Sequence, residues 1–165
     1  MKDGFLKAAA LSPALRVADC AYNAGQMVSA LNDCAARGVK LAVFPELALT
    51  GYTCGDLFFQ QALQQAALDG LAQMLAASAP LDLVGLVGLP LQVDGKLYNC
   101  AAVFCRGRLL GVVPKTFLPN YGEFYEKRHF TPGPGGARTI RLCGQETLFG
   151  TGLLFTCREM PSFVL

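Results

Sequence analysis

Apolar positions change their period several times along the chain, and each change marks an element. Phe5 to Leu11 is an extended apolar run. From Asn23 the spacing becomes three and four: Ala24, Met27, Val28, Leu31, Cys34 and Ala35 fall on one face of a helix. Asp19 or Asn23 supplies a capping side chain at its start, and Gly38 the left-handed residue at its end. Leu41 to Phe44 is short and continuously apolar, the pattern of a strand buried on both faces, and Pro45 ends it. A second helix is predicted from about Asp56 to Ser78, with Phe59, Leu63, Ala67, Leu71 and Leu75 on one side and Pro80 closing it. Leu83 to Leu89 reads as another buried strand. Leu97 to Cys105 and Leu109 to Val113 flank Arg106-Gly107-Arg108 as the arms of a hairpin. Residues 115–137 are rich in Pro, Gly and charge and read as a long ordered loop. Leu153 to Cys157 and Phe163 to Leu165 read as further strands. Strand, helix, strand, helix and then several strands predict an α/β layered domain.

Composition narrows the class. A chain of 165 residues holds one domain with a proper core. It is 53% apolar and only 16% charged, against about 25% charged in ordinary soluble domains, which excludes intrinsic disorder. A net charge of +2 gives no reason to expect nucleic acid or a membrane surface as a partner. The longest apolar run, Leu83 to Leu91, is about half the length a membrane-spanning helix needs. Lys7 and Arg16 interrupt the N-terminal apolar stretch, and Asp19 is a poor residue before a lipoprotein cleavage site at Cys20, so a cytoplasmic location is expected. The seven cysteines, at 20, 34, 54, 100, 105, 143 and 157, contain no Cys-x-x-Cys pair, and His129 has no cysteine at ligand spacing. No metal site is expected, and at least five of the seven thiols should be buried, reduced and inert.

Ligands of α/β sheets bind just past strand ends, so the residues there carry the candidate chemistry. Glu46 follows the strand at Leu41–Phe44 and lies among Phe44, Pro45, Leu47, Ala48 and Leu49. Such an acid is either a cap for the next turn or a desolvated general base. Lys115 directly follows the strand ending at Val113, between Pro114 and Thr116. An acid and a lysine, each at a strand end, could converge across one pocket, where the lysine supplies positive charge to a developing oxyanion. Gly133-Pro134-Gly135-Gly136 opens no helix and reads as a plain turn rather than a phosphate loop.

Phe44-Pro45-Glu46 followed by Thr50-Gly51-Tyr52, then Pro114-Lys115-Thr116 with Leu118-Pro119-Asn120-Tyr121-Gly122-Glu123-Phe124-Tyr125-Glu126, resembles the nitrilase or carbon–nitrogen hydrolase superfamily. Within it, Leu49 to Phe58 and Pro119 to Arg128 look like the glutaminase domain of bacterial glutamine-dependent NAD synthetases. The Phe-Pro-Glu element marks only the superfamily; the loop from Lys115 to Phe130 singles out the synthetase branch. The resemblance implies a nitrilase-type four-layer α-β-β-α sandwich, incomplete here, and a Glu–Lys–Cys triad that hydrolyses the side-chain amide of glutamine. It assigns Glu46 as general base, Lys115 as the transition-state lysine, Glu123 as the second glutamate beside the nucleophile, and Tyr121 as a residue lying against bound glutamine.

The same resemblance implies that the nucleophilic cysteine follows the next long strand, so that no residue of this chain supplies it. Phe163-Val164-Leu165 would then begin that strand. Cys157, beside Arg158, comes too early and lacks the expected flank, and Cys54 matches a structural position. The chain would be the N-terminal portion of a glutaminase domain, inactive alone. The rest of that domain, and a synthetase domain using ATP and Mg to amidate nicotinic acid adenine dinucleotide, would lie outside it. Glutamine, the synthetase domain as ammonia acceptor and a homo-oligomeric full-length enzyme are the implied partners. A stand-alone amidase of the superfamily and a non-catalytic truncated module are the alternatives.

Overall fold

In the computed structural model, which describes residues 4–158 and 160–165, each of the first two strands is followed by an α-helix. Strands β1 (Ala8–Ala10), β2 (Leu41–Val43) and β3 (Val84–Val93) run parallel in that order, with helices α1 (Cys20–Ala36) and α2 (Gln61–Ser78) in the two connections. The sheet continues antiparallel through β4 (Lys96–Cys105) and β5 (Arg108–Pro114). Beyond β5 lie β7 (Gln145–Gly150), parallel to it, and then β6 (Ala137–Leu142), completing a seven-stranded sheet. A separate two-stranded ribbon pairs β8 (Thr156–Cys157) with β9 (Met160–Val164). Among the described residues no helix is long and apolar enough to cross a membrane.

Local chemistry explains the boundaries. Asp19, not Asn23, caps α1: its carboxylate accepts from the Tyr22 N–H at 3.1 Å. Asn23 lies inside the helix, fully buried, and ties it to two loops through the Arg16 backbone and the Leu49 carbonyl. Gly38, at φ 71°, ends the helix as expected. The second helix starts later than its periodicity predicts. Gly55–Phe59 is a separate 3-10 turn, and Gln60 is extended at ψ 123°, so Asp56 and Phe59 stand outside α2. Phe59 is correspondingly exposed.

Three two-residue turns with positive φ at both positions make the hairpins: Asp94-Gly95, Arg106-Gly107 and Cys143-Gly144. Only the second was anticipated, and there Arg108 belongs to the strand. Asp94-Gly95 lengthens the strand predicted at Leu83–Leu89 and folds it back onto β4. Strands β6 and β7 escaped the pattern because Arg138, Arg141 and Glu146 put charge on a sheet edge, where solvent meets one side.

The two faces of the sheet differ. Alternate residues Ala42, Val87, Leu89, Cys100, Ala102, Phe104 and Val112 are essentially inaccessible in the core shared with α1 and α2. The opposite face carries Leu41, Val43, Val84, Leu86, Ala101 and Val113, all apolar and all half-exposed. The apolar run at Leu41–Phe44 is therefore buried on one face only; near Gly111, Leu153 and Phe155 reach the other. Four cysteines, at 20, 34, 54 and 100, are buried and the other three half-buried, one fewer buried thiol than expected.

Candidate active site

Glu46 owes its position to a glycine in the next strand of the sequence. Pro45 has no N–H to extend the ladder, so the chain leaves the sheet after the Phe44 N–H bonds the Leu86 carbonyl at 2.9 Å. It then crosses directly over β3 at Gly88. A Cβ there would stand 2.3 Å from the Leu47 nitrogen and 2.7 Å from the Pro45 oxygen, so only glycine admits the crossing. The Leu49 N–H bonds the Gly88 carbonyl, and Leu47 turns the chain at φ 50°. Glu46 is thus held over the strand ends on the half-exposed face.

Lys115 arrives from β5. Its N–H bonds the Asn99 carbonyl at 2.7 Å, fixing it beside β4. Its Nζ donates to Glu46 Oε1 at 2.7 Å and to Glu126 Oε1 at 2.9 Å. Burial disfavours its charge, but the two carboxylates outweigh burial and hold its pKa above the ordinary lysine value. Glu126 is 5% exposed and accepts a second hydrogen bond on the same oxygen from the Tyr52 hydroxyl, at 2.6 Å. Burial, and then that bond to Glu126, raise the Tyr52 pKa, so its hydroxyl remains a donor. Asn99, buried in β4, donates its Nδ2 to Glu46 Oε1. The arrangement is an ammonium held between two carboxylates, one buried and one 41% exposed, at the mouth of an open cleft of about 320 Å³. Phe44, Glu46, Asn99, Ala101, Val113 and Lys115 line that cleft.

The structure brings Glu46 and Lys115 together; among the described residues Glu123 and Tyr121 make no hydrogen bond or ion pair with either, and Glu123 lines a neighbouring pocket with Tyr52 and Glu126. Glu123 is exposed, and the carboxylate beside the lysine is Glu126. The physical reason is the path of the loop: the Glu126 N–H bonds the Pro119 carbonyl, and the short turn Glu126–Arg128 points the last residue of Glu123-Phe124-Tyr125-Glu126 inward. Both acids stand in the motif, and offset alone does not choose between them. Tyr121 is 71% exposed, its ring edge-on to Phe124, which in turn meets Tyr52. The loop is anchored by Leu118, Glu126, His129 and Phe130, while Phe117, Tyr121 and Tyr125 face outward. Asn99 and Tyr52 were not singled out as site residues. A lone amide in an apolar strand was the available signal for Asn99.

Among the described residues no thiol with a lowered pKa faces the lysine. Burial pushes the Cys20 thiol up to about 11 and raises Cys54, whose Sγ donates to the Thr50 carbonyl. Cys100 is raised further by burial alone. Cys157 interacts electrostatically with Cys105, at the end of β4 remote from Asn99 by about 20 Å at strand rise. Among the described residues no group of three or more His, Cys, Asp or Glu is placed to hold a metal ion.

An acid and a lysine that meet from two strand ends of an α/β sheet, carried on these loops, define a class: the chain belongs to the carbon–nitrogen hydrolase family, whose model matches residues 7–159. Its fold is the nitrilase type. More particularly, it is 44% identical over 98% of its length to the glutamine-dependent NAD(+) synthetase of Mycobacterium tuberculosis, and 38% identical to that of Mycobacterium leprae. It spans about a quarter of the length of these curated relatives, 24%. A crystal structure of a glutamine-dependent NAD(+) synthetase from Cytophaga hutchinsonii superposes on 93% of the chain with a TM-score of 0.86 and 26% identity, using 26% of its own length. An amidase from Nesterenkonia shares the fold at a TM-score of 0.67 and 21% identity, over 86% of this chain and 53% of its own.

Proposed function

We propose that this chain supplies the glutamate–lysine half of a glutaminase site, which releases ammonia from glutamine for the ATP-dependent amidation of nicotinic acid adenine dinucleotide to NAD. The observation that carries the reading is the Lys115 ammonium held between Glu46 and Glu126 at the cleft mouth. Its support from kinship is the 44% identity to glutamine-dependent NAD(+) synthetases along nearly the whole chain. In this reading the nucleophilic thiol, the rest of the hydrolase domain and the synthetase domain lie in further sequence. ATP and Mg would serve that second domain. A cytoplasmic, homo-oligomeric enzyme fits the same reading.

The residues divide the work by charge. Glu46, the more exposed carboxylate, takes the proton from the attacking thiol. Lys115 faces the tetrahedral oxyanion, and its raised pKa keeps it cationic throughout. Glu126, buried and anchored by Tyr52, holds the lysine in place. Ammonia leaves, and water hydrolyses the γ-glutamyl thioester. Tyr121 and the loop from Phe117 to Tyr125 present aromatic surface for contacts with glutamine.

The test is ammonia release from glutamine by the full-length enzyme and its Glu46→Gln variant. Removing a general base should lower kcat by about 10³-fold. Unchanged turnover in Glu46→Gln would overturn the assignment, and release from simple aliphatic amides in preference to glutamine would establish a stand-alone amidase instead.

A further inference from the structure

Asn99 is a buried amide in the apolar stretch of β4, 3% exposed, and a buried amide requires partners. Both ends of the residue find them at the site. Its backbone carbonyl accepts from the Lys115 N–H at 2.7 Å, and its side-chain Nδ2 donates to Glu46 Oε1. A carboxylate has no proton to give, so the amide nitrogen and not the amide oxygen must face Glu46. One residue therefore touches both the acid from the β2 loop and the lysine from β5. Glu46 Oε1 also accepts from Lys115 Nζ, so two donors converge on one oxygen. Among the described residues no hydrogen bond engages Glu46 Oε2.

We propose that Asn99 is a positioning residue of the reaction: it pins Glu46 Oε1, so that Oε2 is the atom that receives the nucleophile's proton. The proposal rests on the glutaminase reading above. In that step the S–H bond breaks, sulfur keeps the electron pair, and the proton bonds Oε2. Lysine alone cannot make the choice, because a flexible ammonium on a four-carbon stem bonds either carboxylate oxygen equally well. Glu46 is also 41% exposed, so packing does not fix its rotamer. The second donor from a rigid central strand removes that freedom. The carbonyl bond to Lys115 keeps the lysine in register with the same strand, so acid and lysine keep their relation as the surrounding loops move.

The experiment measures glutamine kcat and KM separately in the full-length enzyme. Asn99→Leu has nearly the same shape and no donor; kcat should fall about 10²-fold, with KM within about threefold of wild type. Asn99→Asp is also isosteric but replaces the donor by a charge. It should lose more at about pH 8 and recover part of the loss towards about pH 6, where the introduced carboxyl takes a proton and can donate. A packing role would leave the Asn99→Asp to wild-type ratio flat with pH. That flat ratio, or a kcat for Asn99→Leu within about twofold of wild type, would overturn the proposal. Should far-ultraviolet dichroism show Asn99→Leu unfolded, the pH ratio of Asn99→Asp decides. Glu46→Gln separates the two readings: its unchanged turnover sinks the glutaminase assignment, whereas its loss with unchanged Asn99→Leu sinks only the role of Asn99.

Discussion

At the scale of single residues, Lys115 and Glu126 depend on each other unequally. Lys115 has a second carboxylate in Glu46 and is partly exposed, but Glu126 is buried and pairs with no other cation among the described residues: its Oε1 meets Lys115 and Tyr52, while its Oε2 is buried without a hydrogen bond. Lys115→Met should therefore cost stability as well as activity, by about 2–3 kcal/mol, because it strands a buried carboxylate. Lys115→Met combined with Glu126→Gln should regain most of that stability while glutamine hydrolysis stays lost. Urea unfolding of both variants checks this; a single variant as stable as wild type would contradict the dependence of Glu126 on Lys115. Glu46 and Lys115 were legible in the sequence because each directly follows an apolar strand. Glu126 was not, since two acids three residues apart sit in the same motif and the turn that selects one is set by the Pro119 carbonyl.

At the scale of elements, the site is held by contacts between segments far apart in sequence. The 3-10 turn Gly55–Phe59 grips the loop carrying Glu126 through Asp56, which takes both Arg128 bonds at 2.8 Å and the His129 Nε2 at 3.2 Å. Arg128, and then His129, lower the Asp56 pKa from 3.8 to about 2. A carboxyl with a depressed folded-state pKa stabilises the fold above its unfolded value, and that contribution fades as pH falls from about 4 to 2. Asp56→Asn should therefore melt lower than wild type at neutral pH and converge with it below about pH 2. Thermal unfolding across that range is the check, and a constant gap between the two would contradict the clamp. Gly88→Ala should be more severe, because its methyl meets backbone atoms of the Glu46 loop at 2.3 Å and cannot be accommodated by a rotamer change. Loss of glutamine hydrolysis together with a clear drop in melting temperature is expected. The second helix shows why such contacts escape a periodicity argument: apolar spacing continues through Asp56 and Phe59, while the backbone breaks at Gln60 to place Asp56 against Arg128.

At the scale of the whole molecule, one sheet face is sealed by α1 and α2 and the other presents half-exposed Leu41, Val43, Leu86, Ala101 and Val113 around the cleft. The 165-residue polypeptide alone should release no ammonia from glutamine above background, since among its described residues no reactive thiol faces Lys115. With so much apolar face unsealed and only 16% charge, it should also elute above its 17.6 kDa monomer mass on size exclusion. Turnover that Cys157→Ala abolishes would place the nucleophile in this chain after all. By itself, the sequence determined the α/β class, the first two strands, the core of both helices, the central hairpin and the two residues at strand ends, because each of these depends on local periodicity or on a short motif. Tertiary structure alone decided which acid reaches the lysine, that Tyr52 and Asn99 join them, and that the second sheet face stays half-exposed around the cleft. Those outcomes depend on backbone crossings such as Gly88 under Glu46, and on pairings between residues more than fifty positions apart such as Asn99 with Glu46, about which apolar spacing says nothing.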